Sequence, residues 1–301
     1  MFRVKIPATS ANLGPGFDCM GMALQLYNTI TVTTNRPFRI SLAGSYTDGI
    51  PADESNLVWR TMCYFWDLIK YPTPTVDLIF ENFIPPARGL GSSSAAIVGG
   101  LVAANIIAGS PYTKLELLQV ANTLEGHPDN VTPALYGGVT LSVPTESGVL
   151  PRVLAQSPNL KAVVIIPDTH LNTKRARGIL APQVPRKDAV FNISHVSLLT
   201  EAFIREEYSL LQEGMRDTLH QSQRAALIPG LLETLEVALQ AGAYGSALSG
   251  SGPTLLALIP SSSSKTDVSQ SMIAMLEKHG INSQAMILDI DTNGASSSLI
   301  K

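Results

Sequence analysis

The feature that most constrains this chain is a glycine- and serine-rich segment that leads directly into a long apolar stretch. It reads Pro-Pro-Ala-Arg-Gly-Leu-Gly-Ser-Ser-Ser-Ala, and its candidate ligand-binding residues are Pro85, Pro86, Ala87, Arg88, Gly89, Leu90, Gly91, Ser92, Ser93, Ser94 and Ala95. A strand pattern precedes it, so we predict a strand, a turn and then a buried helix. Glycines let a backbone approach a ligand, and the free N–H groups of a first helical turn attract anions. The segment is therefore a candidate phosphate site.

Two common phosphate-binding motifs do not fit this segment. A Walker A loop would need a lysine and then serine or threonine after its glycines, and these are missing. A dinucleotide fingerprint would need a third glycine. The alternative without a ligand is a core helix that starts after a glycine-rich turn, and the segment alone leaves both interpretations open.

The composition is typical of a globular protein. Of the 301 residues, 45% are hydrophobic and 15% are charged, and the net charge is −3. These values are far from those of disordered chains. There is no basic run, so we expect no nucleic-acid partner. Local groups and a metal ion would have to hold an anionic ligand, because the overall charge would not attract it.

The cysteines and the N-terminus bear on the cellular compartment. Cys19 and Cys63 lie in apolar surroundings, and we expect two buried free thiols in a reducing environment. The first residues lack the apolar core of a signal peptide. The longest apolar stretch, 95–109, is shorter than the roughly 20 residues that span a bilayer. We therefore expect a cytoplasmic protein with no membrane partner.

Periodic patterns predict an α+β chain in two lobes. The predicted strands are 28–34, 75–80, 137–143, 160–166 and 254–259. The predicted helices are 56–70 with Ser55 as cap, 113–124 with a Thr113/Glu116 capping box, 199–213, 231–240 and 267–279. The interval 145–159 is rich in Pro, Gly and Ser without periodicity, and 261–264 is a polar loop. We place a domain boundary in the first of these, which divides the chain into 1–155 and 156–301.

A second polar segment follows the predicted helix that ends near Glu125. Within six residues it also holds His127, Asp129 and Asn130. Carboxylates suit magnesium, and phosphoryl transfer needs a group that orients the attacking hydroxyl. The alternative is a helix end followed by an Asp-Asn turn. Zinc is disfavoured, because one histidine without a nearby cysteine is a poor ligand set.

Two further loops are rich in glycine. Residues 7–18 hold Asn12 and Asp18, which could bind an ammonium or a carboxylate group. Residues 246–254 read Ser-Ala-Leu-Ser-Gly-Ser-Gly-Pro-Thr and form either a simple hairpin turn or an anion-binding loop. Spacing decides neither case.

Together these segments resemble the GHMP kinases, the family of galactokinase, homoserine kinase, mevalonate kinase and phosphomevalonate kinase. The motifs 7–18, 85–95 and 249–254 carry the resemblance in the right order. Within the family, 7–18, 127–134 and 173–177 are most similar to the homoserine kinases. The resemblance implies a two-domain fold: an N-terminal β-α domain with a left-handed β-α-β Gly/Ser phosphate loop, and a ferredoxin-like C-terminal domain. It places the site in the cleft between them.

The resemblance also implies an activity, namely ATP- and Mg²⁺-dependent phosphorylation of the side-chain hydroxyl of L-homoserine, a step of threonine biosynthesis. Residues 85–95 would wrap the ATP phosphates, with Asn56 near the adenine and Thr173 near the phosphates. Ser93 and Glu125 would hold the magnesium ion. A homodimer is the family's usual habit.

The implied roles for the acceptor follow the chemistry of an amino acid. Its carboxylate needs an arginine fork and its ammonium needs a carboxylate. The matching positions are Arg177 and Arg224 for the carboxylate, Asp18 for the ammonium, Asp129 and Asn130 at the hydroxyl, and Asn12 and His127 to complete the pocket. Asp129 is either a base or a positioning group. The alternative for Arg224 is a solvated helix residue.

The sequence departs from the family pattern at two positions. Asn82 stands where members of the family often have a lysine shortly before the phosphate loop, and Arg88 stands where a small residue is usual. Arg88 either supplies a cation to the phosphates or points into solvent, and we favour solvent. Two other functions stay open: another GHMP small-molecule kinase, which Arg177, Arg224 and Asp18 disfavour, and a nucleotide-binding regulator without turnover.

Overall fold

The computed structural model describes residues 1–262 and 266–300, so Ser263 and Ser264 of the predicted polar loop lie outside the described residues. The strands are β1 (Phe2–Ala11), β2 (Met20–Thr34), β3 (Arg39–Gly44), β4 (Val76–Asn82), β5 (Val139–Thr145), β6 (Gly148–Ala155), β7 (Leu160–Pro167), β8 (Gly245–Leu248), β9 (Leu255–Pro260), β10 (Ser283–Asp289) and β11 (Ser296–Leu299). The α-helices are α1 (Leu57–Leu68), α2 (Ser92–Ile107), α3 (Lys114–Glu125), α4 (Pro128–Tyr136), α5 (Thr173–Gly178), α6 (Arg186–Arg205), α7 (Leu211–Gly214), α8 (Gln221–Arg224), α9 (Leu231–Gln240) and α10 (Thr266–Lys278).

The larger of two sheets has the strand order β11-β1-β2-β4-β3, and the β5–β6 hairpin joins it through β2. Strands β3 and β4 run parallel, with α1 as the crossover between them. Helices α2 and α4 pack against β1 and β2. Strand β4 leads through the Gly/Ser turn into α2, which confirms the predicted order of strand, turn and buried helix.

The smaller sheet is antiparallel with the order β10-β7-β9-β8. Its chain succession of strand, helices, two strands, helix and strand is the ferredoxin-like pattern, as predicted. Val163 and Ile165 of β7 join the core formed with α9 and α10, whereas Ala162 and Val164 join the other core cluster. Because both faces of β7 are buried, the strand reads as a continuous apolar run.

The two sheets share a core. Ile6 of β1 and Trp66 of α1 belong to the same buried cluster as Leu258 of β9. Strand β11 returns to the first sheet and pairs with β1. The predicted domain boundary at residue 155 falls between β6 and β7 and stays a prediction.

Several predicted elements are confirmed, among them the capping box of Thr113 and Glu116, in which both reciprocal hydrogen bonds are present. The predicted cap Ser55 is wrong. Asn56 caps α1, because its side-chain oxygen accepts from Val58 N at 2.9 Å. The hydroxyl of Ser55 instead donates to Asp53.

Three other predictions need correction. Residues 7–18 are not one loop, since β1 continues to Ala11 and the turn begins only at Asn12. The interval 145–159 contains the strand β6, which was not predicted. This strand lies at the edge of the sheet and pairs only with β5, so its residues do not alternate between buried and exposed positions. The helix predicted at 199–213 is interrupted, because α6 ends at Glu206 in a left-handed conformation.

The two cysteines, predicted to be buried, are free but only half-buried. Burial raises the pKa of Cys19 to about 11, with a smaller effect from the charge of Asp129. The thiol therefore stays protonated near neutral pH.

Candidate functional site

The glycine turn before α2 has a backbone that only glycine fits well. Gly91 is the N-cap in a left-handed conformation with φ of 68°, and a Cβ there would overlap the Thr9 hydroxyl. A Cβ at Gly89 would overlap the carbonyl oxygen of Ser249. A glycine N-cap supplies no side-chain hydrogen bond, so first-turn N–H groups of α2 remain available to a ligand.

Glu125, the last residue of α3, lies against the start of α2. Its carboxylate accepts from Ser94 Oγ at 2.6 Å and from Ser93 Oγ at 3.3 Å. The arrangement places a carboxylate and hydroxyl oxygens, the ligand type of magnesium, beside the glycine turn. Within the described residues, no group of three or more His, Cys, Asp or Glu side chains could hold a metal ion. Phosphate oxygens and water would have to complete any magnesium site here.

The start of α4 carries a polar cluster. Asp129 is 2% exposed, and its Oδ1 accepts from His127 Nδ1 at 2.7 Å and from Asn130 Nδ2 at 3.3 Å. The Oδ1 of Asn130 accepts from the Thr9 hydroxyl at 2.8 Å. Burial lowers the pKa of His127, but its hydrogen bond to Asp129 and the charge of that carboxylate outweigh burial and raise the pKa above its usual value.

Arg224 is the most unusual charged residue of the site. It is 1% exposed, so its interpretation as a solvated helix residue is wrong. It donates to the carbonyl oxygens of Ala176 (3.2 Å) and Gly250 (2.9 Å). Across the described residues it forms no ion pair, and its Nη2 has no hydrogen-bond partner. Burial lowers its pKa to about 10, and the neighbouring Arg177 acts in the same direction.

Arg177 and Asp18 lie beside Arg224 and are bonded to each other by two hydrogen bonds of 2.6 and 2.9 Å. The guanidinium groups of Arg177 and Arg224 lie 5.6 and 5.5 Å from the ring centre of Phe17. The side-chain amide of Asn12 donates to Gly250 O at 3.0 Å, and its oxygen accepts from Asp18 N at 3.0 Å. Asn12 thus holds the turn after β1 against the loop between β8 and β9.

One cavity of about 300 Å³ unites most of the predicted residues. Its lining comprises Asn12, Ala87, Arg88, Gly89, Leu90, Gly91, Ser92, Ser93, Ser94, Glu125, His127, Asp129, Asn130, Thr173, Arg177, Arg224, Gly250 and Ser251. A second cavity of about 260 Å³ shares Ala87, Ser92 and Ser93 with the first and is lined in addition by Asn56 and Pro86. Of the predicted residues, Pro85 and Ala95 are buried and Asp18 is paired with Arg177; these three line neither cavity.

Some lining residues were missed by sequence reasoning. Gly250 and Ser251 belong to the glycine-serine loop whose role was left open, and Thr173 Oγ lies 3.2 Å from Ser251 Oγ. Asn82, noted only as a departure, lines the second cavity with a buried Nδ2 that has no partner in the described part of the chain. The sequence signal that could have identified Asn82 is a polar residue near the end of a predicted strand, shortly before the glycine- and serine-rich segment.

Arg88 does not point freely into solvent, contrary to our expectation. Its guanidinium donates to the carbonyl oxygens of Pro167 and Thr169. Pro167 is the last residue of β7, and Thr169 lies in the loop that follows this strand. Arg88 therefore connects this loop to the smaller sheet.

Comparisons with known proteins show which family this chain is similar to. Residues 56–138 match the family model of the GHMP kinases N terminal domain, and residues 199–278 match that of the GHMP kinases C terminal. A homoserine kinase of Desulfitobacterium hafniense is 57% identical over 98% of this chain and 99% of its own length. One from Microchaete diplosiphon is 42% identical over 98% and 96%.

Solved structures give the same result. The crystal structure of homoserine kinase from Cytophaga hutchinsonii superposes with a TM-score of 0.86 and 29% identity over 99% of this chain and 97% of that one. No helix in residues 1–262 and 266–300 is long and apolar enough to cross a membrane. The chain belongs to the GHMP kinases and, within them, to the homoserine kinase family.

Proposed function

We propose that this chain transfers the γ-phosphoryl group of ATP to the side-chain hydroxyl of L-homoserine and forms O-phospho-L-homoserine, a step of threonine biosynthesis. The observation that carries the proposal is that one cavity joins a phosphate-type turn to a buried arginine that has no ion-pair partner among the described residues. The relatives named above support the same substrate.

The glycine turn and the first turn of α2 would bind the triphosphate. Free N–H groups and the helix dipole favour anions there. The second cavity adjoins this turn, and it would hold the adenine beside Asn56. Asn82 offers its buried amide group to the same space.

Magnesium fits the residues present. Ser93 and Glu125 supply oxygen ligands at the phosphate turn, and magnesium binds through one or two carboxylates together with phosphate oxygens. When bound, the ion neutralises negative charge on the β- and γ-phosphates.

Charges in the cavity and beside it suit an amino acid. Arg224 and Arg177 would bind the carboxylate, since a guanidinium matches its two oxygens. Asp18 would bind the ammonium group. The side chain of the substrate would then extend towards Asp129 and Asn130, with His127 and Asn12 at its edges.

Asp129 would orient the hydroxyl and accept its proton as phosphoryl transfer proceeds. Its carboxylate is buried, and His127 and Asn130 fix its position through hydrogen bonds. Since the transition state of phosphoryl transfer is loose, positioning of the hydroxyl contributes more than strong deprotonation.

Release of ADP tests the substrate. The purified protein should be assayed with L-homoserine, L-serine, L-threonine, mevalonate, shikimate and galactose as acceptors. We expect a clear preference for L-homoserine in kcat/KM. Preference for an acceptor that is not an amino acid would contradict the proposal.

A second experiment separates an enzyme from a nucleotide-binding regulator. We expect Glu125→Ala to abolish turnover while it weakens nucleotide binding far less. The matched control is Glu146→Ala, which removes an exposed carboxylate from the β5–β6 turn and should change neither property. Equal losses of turnover and binding in Glu125→Ala would favour the regulator.

The proposal also includes the compartment and assembly. The free thiols of Cys19 and Cys63 fit the reducing cytoplasm that we propose for this enzyme. A homodimer stays a prediction, which sedimentation of the purified protein can test.

A further inference from the structure

A fully buried histidine, His220, contacts Arg224, the arginine proposed to bind the carboxylate of the acceptor. His220 is 0% exposed and is the N-cap residue of α8, one helical turn before Arg224. Its Nδ1 lies 3.1 Å from Arg224 Nη1, and its Nε2 lies 2.8 Å from the carbonyl oxygen of Gly14. Both ring nitrogens are therefore used.

The two partners determine the protonation of the ring. A guanidinium can only donate, so Nδ1 of His220 must be unprotonated and accept from Arg224. A carbonyl oxygen can only accept, so Nε2 must carry the proton and donate to Gly14. The contacts permit a single form, the neutral imidazole with its proton on Nε2.

The surroundings also favour the neutral ring. Burial lowers the pKa of His220; the charge of Asp217 opposes this effect and that of Arg224 adds to it. Asp217 Oδ2 lies 3.6 Å from His220 Nε2, but it already accepts from the backbone N–H groups of His220 and Gln221. A protonated ring would direct an N–H group at the guanidinium of Arg224.

The hydrogen bonds of Arg224 involve two of the three nitrogens of its guanidinium group. Nε donates to Ala176 O, while Nη1 donates to Gly250 O and to His220. Nη2 is the nitrogen that has no partner in the described part of the chain. Because Nε and Nη1 are fixed by these hydrogen bonds, the guanidinium group cannot rotate about the terminal bonds of the side chain. The direction of Nη2 relative to the cavity is therefore fixed as well.

Phe17 completes this arrangement. Its ring centroid lies 5.3 Å from that of His220 and 5.5 Å from the guanidinium carbon of Arg224. The aromatic face attracts the cation without using any of its N–H groups. The ring therefore supports Arg224 from the side and leaves Nη2 available.

We propose that His220 is a positioning residue for acceptor recognition, which holds Arg224 through Nδ1 so that Nη2 stays available to the carboxylate of the amino-acid acceptor. This inference rests on the proposed function of Arg224. It assigns His220 no contact with either substrate, so its effect should appear in recognition of the carboxylate.

Two isosteric variants separate the contacts of the ring. In His220→Asn the amide oxygen occupies the place of Nδ1 and can still accept from Arg224, while the bond to Gly14 is lost. In His220→Gln the amide nitrogen reaches the place of Nε2 and can donate to Gly14, while the acceptor for Arg224 is lost.

The readout is the ratio of kcat/KM for L-homoserine to that for 3-aminopropan-1-ol, which lacks the carboxylate. We expect His220→Gln to lower this ratio about tenfold, as for the loss of a hydrogen bond to a charged group, and His220→Asn to stay near wild type. The KM for ATP should change little in either variant. Equal losses in both variants, or a larger loss in His220→Asn, would overturn the inference.

Failure of the proposed function would appear differently. A wild-type enzyme that does not distinguish the two acceptors would contradict carboxylate recognition itself, whatever the variants do. The tautomer gives an independent check that needs no variant. Nitrogen NMR of histidine-labelled wild-type protein should show His220 with a protonated Nε2 and a bare Nδ1, and a proton on Nδ1 would overturn the inference.

Discussion

Arg177 and Asp18 form a two-pronged ion pair, with Nη1 2.9 Å from Oδ2 and Nη2 2.6 Å from Oδ1. The pair joins α5 to the turn that follows β1. The proposed binder of the carboxylate and the proposed binder of the ammonium thus neutralise each other. An amino acid carries both charges, so it can insert between them and keep each group paired.

The planar fork of Arg177 is the first point to test. We expect Arg177→Lys to raise the KM for L-homoserine about tenfold, because a point charge cannot replace two parallel hydrogen bonds. The KM for ATP should stay nearly constant. Arg175→Lys is the matched control, since Arg175 lies exposed on the same helix. An unchanged KM for homoserine in Arg177→Lys would remove Arg177 from the pocket.

The glycine turn predicts a pair of contrasting substitutions. Gly91 and Gly109 both have positive φ, 68° and 83°, but a Cβ at Gly109 meets nothing within 4 Å. Alanine at either position should cost about 1 kcal/mol of unfolding free energy for its left-handed backbone. We expect Gly91→Ala in addition to raise the KM for ATP, because its Cβ would displace Thr9 and the start of α2.

Thermal unfolding and steady-state kinetics of both variants measure this difference. If Gly109→Ala impaired ATP binding as much as Gly91→Ala, the close approach at the turn would not be its cause.

Asn82 should contribute to nucleotide binding. Its buried Nδ2 lacks a partner in the described part of the chain and lines the second cavity, where the adenine would lie. We expect Asn82→Ala to raise the KM for ATP several-fold, by roughly the value of one hydrogen bond, and to leave the KM for homoserine unchanged. Asn282→Ala, an exposed position, serves as the control. If only the KM for homoserine rose, a role of Asn82 in binding the adenine of ATP would be excluded.

The contact between His127 and Asp129 should make stability depend on pH. The pKa of His127 is raised in the folded protein, so the pair stabilises the fold below the usual pKa of histidine, about 6.5. This contribution is lost as the pH rises through the higher folded-state value. Wild type should therefore exceed His127→Gln in unfolding free energy more at acidic than at alkaline pH.

Denaturant unfolding of both proteins across this range gives the measurement. A difference that grew with increasing pH would show that burial, which disfavours the charged ring, outweighs the carboxylate.

The sequence allowed prediction of the phosphate turn because its residues are contiguous. Glycines, serines and an apolar helix follow one another, and the local physics of a helix start suffices. The capping box of Thr113 and Glu116 was predictable for the same reason. The ferredoxin-like order of the smaller sheet came from the family resemblance.

The environment of Arg224 could not be predicted in this way. Its partners Ala176 and Gly250 lie far away in the chain, and its own segment looks like an ordinary polar helix. Arg88 shows the same limit, since its carbonyl partners lie at the end of β7 and in the loop after it, about 80 residues away in the chain. Side chains that connect distant segments are determined by tertiary packing, which local patterns do not report.

A crystal structure with L-homoserine and a non-hydrolysable ATP analogue tests the central claim most directly. We expect the triphosphate at Gly91 and Ser93, the homoserine carboxylate at Nη2 of Arg224, and the hydroxyl between Asp129 and the γ-phosphate. A triphosphate bound away from the glycine turn, or a homoserine carboxylate distant from Arg224, would contradict the account.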